Sequence, residues 1–160
     1  MAKKYTVDDG YSISDLFHYG IDHLYSSGSL FKLDAHTYDS AGYLSHLGIE
    51  LLLKGWHLYQ FNFFENEHNL IALYKKLNEQ IEGFELNNES LDILNMLNNF
   101  YELRYPKNHN PVETGTDDWI KIESIVNTLW EEMPPELLGE LDKMDVTRKG
   151  GRILMRKKID

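Results

Sequence analysis

Ala41-Gly-Tyr-Leu-Ser-His-Leu-Gly-Ile-Glu-Leu-Leu-Leu-Lys-Gly-Trp56 is apolar at three- and four-residue intervals and nowhere keeps the strict alternation of a half-buried strand. Extended in both directions, the pattern predicts one long helix from about Asp34 to Phe61, with Ala41, Leu44, Leu51, Leu52, Leu58 and Tyr59 on its core face. Gly48 and Gly55 stand one heptad apart inside it. Each costs about 1 kcal/mol relative to alanine, so a neighbouring helix passing close by is their expected reason.

The same periodicity recurs on either side. A first helix is expected from about Ser12 to Tyr25, capped by Ser12 or Ser14, striped by Ile13, Leu16, Phe17, Ile21 and Leu24, and stopped by Ser26-Ser27-Gly28. A third is expected from His68 to Gln80. A fourth opens near Asn88 to Ser90 and carries Leu91, Leu94, Leu97, Tyr101 and Leu103, ending at Arg104-Tyr105 because Pro106 forbids helical geometry before it. A fifth begins after Thr114 or Thr116, with Asp117 and Asp118 favoured by the helix dipole, and runs through Trp119 and Trp130 to Pro134-Pro135. A short helix, Glu136 to Lys143, follows. The expected fold is all-α: an antiparallel up-and-down four- to five-helix bundle with short flanking helices.

The chain of 160 residues is one domain's worth, with a net charge of −10. The charge is unevenly spread. Residues 1–146 hold 10 basic and 25 acidic side chains, whereas 147–160 hold 6 basic and 1 acidic. The expected organisation is a single helical domain over 1–146 and a basic, flexible C-terminal tail over 147–160. There is no cysteine, which excludes disulfides, thiolate metal sites and a cysteine nucleophile. The polar N-terminal stretch predicts no secretory signal, and no apolar run reaches the length of a membrane span. A cytoplasmic protein without membrane contact is the expectation. The acidic balance also disfavours gripping nucleic acid through bulk charge.

Seven histidines invite a metal hypothesis, but their spacing does not sustain it. His18 and His23 are five apart on one helix, and no pair lies at i, i+4 with a carboxylate between, as in HExxH. Amphipathic-helix histidines, partly buried and hydrogen-bonded, are expected at His18, His23, His36, His46 and His57. Phosphate-binding glycine loops and a serine nucleophile elbow are missing from the sequence. No metal and no cofactor is therefore expected.

Arg104-Tyr-Pro-Lys-Asn-His109 remains. It spans the break between two helices, so both end residues can face one cleft at the end of the bundle. A guanidinium can hold a phosphate bidentately and stabilise developing charge, and a histidine can move protons near neutral pH. With RNA, whose 2′-hydroxyl is an internal nucleophile, these two functions nearly suffice without a metal. Lys107 and Asn108, between them, are further candidates for phosphate contact. The plain structural reading stays open beside it: Arg104 capping carbonyls at its helix end, and His109 a loop residue.

Four stretches, in order, resemble the HEPN domain family. They are the Ala41 to Trp56 stretch with Glu50 and Lys54, the His68-Asn-Leu-Ile-Ala-Leu entry to the third helix, Leu103-Arg-Tyr-Pro106, and His109, which completes an Arg-x4–6-His motif. The resemblance implies a bundle that commonly forms a homodimer, with the Arg/His cleft near the two-fold axis. In ribonuclease members that composite cleft cuts RNA without metal, often as the toxin of a toxin–antitoxin or defence system. Carried over, Arg104 is the phosphate clamp and His109 the proton-transfer residue. Glu50 is an accessory candidate, although its simpler role is an i, i+4 salt bridge to Lys54, worth about 0.3–0.5 kcal/mol on a surface.

The sequence departs from the ribonuclease pattern at one place. Those members usually have a small polar residue after the motif arginine, whereas here Tyr105 and then Pro106 follow. That variant resembles HEPN domains that act as non-catalytic modules, binding a nucleotide or a nucleotidyltransferase partner. The resemblance thus implies two functions, an endoribonuclease or a binding module.

Overall fold

Two long helices frame the protein. In the computed structural model, which describes residues 2–102 and 114–142, α1 spans Ile13–Leu33 and α2 spans Tyr38–Phe61. Ser12 caps α1 by accepting from the Asp15 N–H, as its place ahead of the apolar stripe implied. A 3₁₀ turn, Ala35–Thr37, joins the two helices, so α2 begins four residues later than the expected Asp34.

Contacts between α1 and α2 run in opposite chain order, which makes the helices antiparallel. Phe17 meets Gly55, Gly20 and Leu24 meet Gly48, and Ser27 meets Ser45 and the Ala41 carbonyl. The glycines allow this approach. A β-carbon on Gly48 would lie 2.9 Å from the Gly20 carbonyl oxygen and 2.5 Å from Leu24 Cγ, and one on Gly55 would lie 2.6 Å from the Phe17 ring.

The same packing overturns the expected end of the first helix. Ser26-Ser27-Gly28 does not stop α1, which continues past Tyr25 to Leu33. Ser27 is fully buried and donates its hydroxyl to the Ala41 carbonyl at 2.7 Å, while Gly28 leaves room for the Trp119 ring. Continuation also buries Phe31 against Trp119 and Tyr38. The local preference of serine and glycine for a helix end is about 1 kcal/mol, which burial of one such aromatic ring exceeds.

The remaining helices are α3 (Leu70–Gln80), α4 (Asn88–Tyr101), α5 (Thr116–Glu132) and α6 (Pro135–Asp142). Asn69 and Asn87 cap α3 and α4. Asp118, in the first turn of α5, accepts from the Gly115 N–H and the Thr114 hydroxyl. Phe100 packs on Gly42, whereas Leu86, ahead of α4, bonds Tyr74 near the other end, so α4 runs against α2. Trp119 meets Gly28 and Phe31, and Trp130 meets Phe17, so α5 runs against α1. Helices α1, α2, α4 and α5 thus alternate up and down, with α3 and α6 flanking them. The expected all-α bundle is the fold.

Its core is one cluster in which Phe17, Trp56, Phe84, Phe100, Ile122 and Trp130 are sealed from solvent. Leu44, Leu51 and Tyr59, expected on the core face of α2, are only half-buried. A two-residue ladder, absent from the expectation, pairs β1 (Lys4–Tyr5) antiparallel with β2 (Phe64–Glu65). Two residues per strand are too few to show alternation, and the ladder is held by the Tyr5, Tyr11 and Phe64 rings at 5.0–5.4 Å. No described helix is long and apolar enough to cross a membrane.

Candidate functional site

Glu50 and Lys54 lie one turn apart on α2 inside an otherwise apolar run, and both are 5% exposed. Burying charge is costly unless each ion is paired and hydrogen-bonded. Lys54 Nζ donates to Glu50 Oε1 at 2.6 Å and lies 5.7 Å from the centre of the Phe64 ring. The expected i, i+4 pair is therefore present. It is a buried pair, however, so the energy scale of an exposed helix pair does not describe it.

Two histidines complete the group. His68, in the loop before α3, turns its Nδ1 to Glu50 Oε1 at 2.9 Å. His46, one turn before Glu50 on α2, places Nε2 at 2.9 Å from the backbone carbonyl of His68 and Nδ1 at 3.6 Å from Glu50 Oε2. A carbonyl only accepts, so His46 carries its proton on Nε2 and its Nδ1 is bare when the ring is neutral. Burial pushes the His46 imidazole below its ordinary value, and the Glu50 carboxylate offsets part of that shift.

The loop bearing His68 is tied down at several points. Glu67 accepts from the backbone N–H of both His68 and Asn69 at 2.8 Å. The Asn69 side chain accepts from Ile71 and Ala72, and Asn98 on α4 accepts from Leu70 and donates to Asn69. The His68 ring then stacks on Tyr101 with centroids 4.7 Å apart and planes 18° apart, and His46 meets the same tyrosine at 5.0 Å. Side chains of α2 and of the loop before α3 thus meet at one carboxylate, with Tyr101 of α4 packed on both imidazoles.

His57 also sits on α2 but serves the fold, its Nε2 donating to the Leu73 carbonyl at 2.8 Å. Its ring too is held below its ordinary value, chiefly by burial. The expectation of buried, bonded histidines therefore holds for His46 and His57, whereas His36 is exposed.

Arg104, Tyr105, Lys107, Asn108 and His109 lie outside the described residues. Of the sequence-predicted site residues, Glu50 alone is described, and it sits at the centre of the cluster. His46, His68 and Tyr101 were not singled out by sequence reasoning as members of a site. The available signal was the presence of Glu50 and Lys54 among Ile49, Leu51, Leu52, Leu53 and Trp56, since charges inside an apolar stripe demand partners.

The profile of the HEPN domain matches residues 14–144, which takes in the described helices from the second residue of α1 to the end of α6. The chain belongs to the HEPN domain family. The match covers the HEPN pattern read from Glu50, Lys54 and the His68-Asn-Leu entry, and it extends that assignment to α1 and α6. No curated protein and no solved structure matches the chain.

Proposed function

We propose that this HEPN domain is a metal-independent endoribonuclease, a toxin or defence component that cuts single-stranded RNA through Arg104 and His109 and works as a homodimer. The observation that carries the reading is the Arg-x4-His spacing beginning three residues after Tyr101, the α4 residue on which the Glu50 cluster stacks. Three residues of chain span at most about 11 Å, so the motif follows closely behind that cluster in the sequence.

Arg104 would hold the scissile phosphate and stabilise charge as the 2′-oxygen attacks, and His109 would transfer a proton. Lys107 and Asn108 would add phosphate contacts. The purified protein is expected to cut single-stranded RNA in EDTA, leaving a cyclic phosphate, with Arg104→Ala and His109→Ala each abolishing cleavage while the fold persists. A wild type that cuts nothing, or a His109→Ala variant that cuts as well as wild type, overturns the reading.

Tyr105-Pro106 favours a second reading, a non-catalytic module that binds a nucleotide or a nucleotidyltransferase-type antitoxin or accessory partner. Nucleotide affinity that drops on Arg104→Ala, with no RNA cleavage by wild type, would decide for it.

A further inference from the structure

His68 is placed as a base. Its Nδ1 faces the Glu50 carboxylate, which only accepts, so the proton of the neutral ring resides on Nδ1. Nε2 is then a bare lone pair. It bonds no described residue, and the side chain is 35% exposed, so this nitrogen faces outward from the cluster. The ring cannot swing away: Tyr101 stacks on one face, and the backbone on either side of the ring is held by Glu67 and Asn98. When Nε2 takes up a proton, the imidazolium forms against a carboxylate already in position. An outward lone pair, a fixed ring and a buried counter-charge are the requirements for proton abstraction.

From this geometry we propose that His68 is the general base of the RNA cleavage, with Glu50 its positioning residue; the proposal rests on the ribonuclease reading above. The proton of the ribose 2′-hydroxyl passes to Nε2 of His68 as the 2′-oxygen to phosphorus bond forms. The phosphorus to 5′-oxygen bond breaks as the 5′-oxygen receives a proton from a general acid, the proton transfer already proposed for His109. Among the described residues, the groups that face His68 are Glu50, His46 and, through Glu50, Lys54 from α2, Glu67 from its own loop and Tyr101 from α4.

The test measures cleavage of a single-stranded RNA oligonucleotide in EDTA by the full chain, with oxygen or sulfur as the 5′ leaving atom. Sulfur leaves without protonation, so it rescues loss of an acid and not loss of a base. His68→Ala is expected to slow both substrates about 10²–10⁴-fold, with partial rescue by added imidazole, whereas His109→Ala is rescued by the sulfur substrate. His68→Asn keeps a donor toward Glu50 and should show the same loss, which separates the base from a folding role. Glu50→Gln combined with Lys54→Met, which leaves no buried charge unpaired, should lower kcat and leave KM unchanged. Wild-type rates for His68→Asn, or a loss erased by the sulfur substrate, overturn the role of His68 while leaving the ribonuclease reading intact. A wild type that cuts neither substrate overturns both.

Discussion

Nδ1 of His68 lies 2.9 Å from Oε1 of Glu50, and Lys54 shares that same oxygen at 2.6 Å. A single buried oxygen thus joins an intrahelical ion pair to a loop eighteen residues further along the chain. This relationship makes the cluster both a structural joint and a candidate for chemistry.

Removing one member of the ion pair should be costly. Lys54→Ala leaves the Glu50 carboxylate buried without its cation, and a loss of about 3–5 kcal/mol is expected. Replacing both residues with apolar ones of similar size, Glu50→Leu with Lys54→Met, should cost far less. Urea unfolding of the two single variants and the double variant measures the difference. Additive losses would show that the pair is not coupled.

Two glycines should respond in opposite directions to alanine. At Gly48 a β-carbon meets a backbone oxygen at 2.9 Å and Leu24 at 2.5 Å, so Gly48→Ala should destabilise by about 1–3 kcal/mol despite alanine's better helix propensity. At Gly139, in α6, a β-carbon meets nothing within 4 Å. Gly139→Ala should therefore stabilise by up to about 1 kcal/mol. Thermal melts read both.

Stability should fall in mild acid. Burial holds His46 and His57 below their ordinary imidazole value, with Glu50 and the Leu73 carbonyl respectively offsetting part of the effect. As pH drops through about 6.5 the unfolded chain takes up protons that the folded chain resists, so stability is full above that pH and declines below it. The melting temperature measured from about pH 8 to pH 5 should show this decline. His57→Gln, which keeps a donor for the Leu73 carbonyl, should make it shallower.

The basic segment 147–160 should contribute to RNA binding through its charge. It holds six Lys and Arg residues against one acid, attached to a body of net −15. If these contact phosphates, deleting 147–160 should reduce the salt slope of single-stranded RNA binding by up to about 4. An unchanged slope would assign phosphate contact to other residues.

The three- and four-residue spacing of apolar residues from Ile13 through Trp130 determined the all-α class, the helix count and most boundaries, because that periodicity is the requirement for burying one face of a helix. It determined as well that Gly48 and Gly55 need close neighbours, and it carried the HEPN resemblance. The tertiary structure alone decided that α1 runs through Ser27 and Gly28, since the partners that reverse their local preference, Ala41 and Trp119, are 14 and 91 residues away along the chain. It likewise decided that Glu50 gathers Lys54, His46, His68 and Tyr101. Of these, Lys54 and His46 are within one helical turn of Glu50 on α2. His68 and Tyr101 arrive from other elements, because a buried carboxylate takes its hydrogen bonds from whatever the fold brings near, and helical periodicity records only the face that is buried.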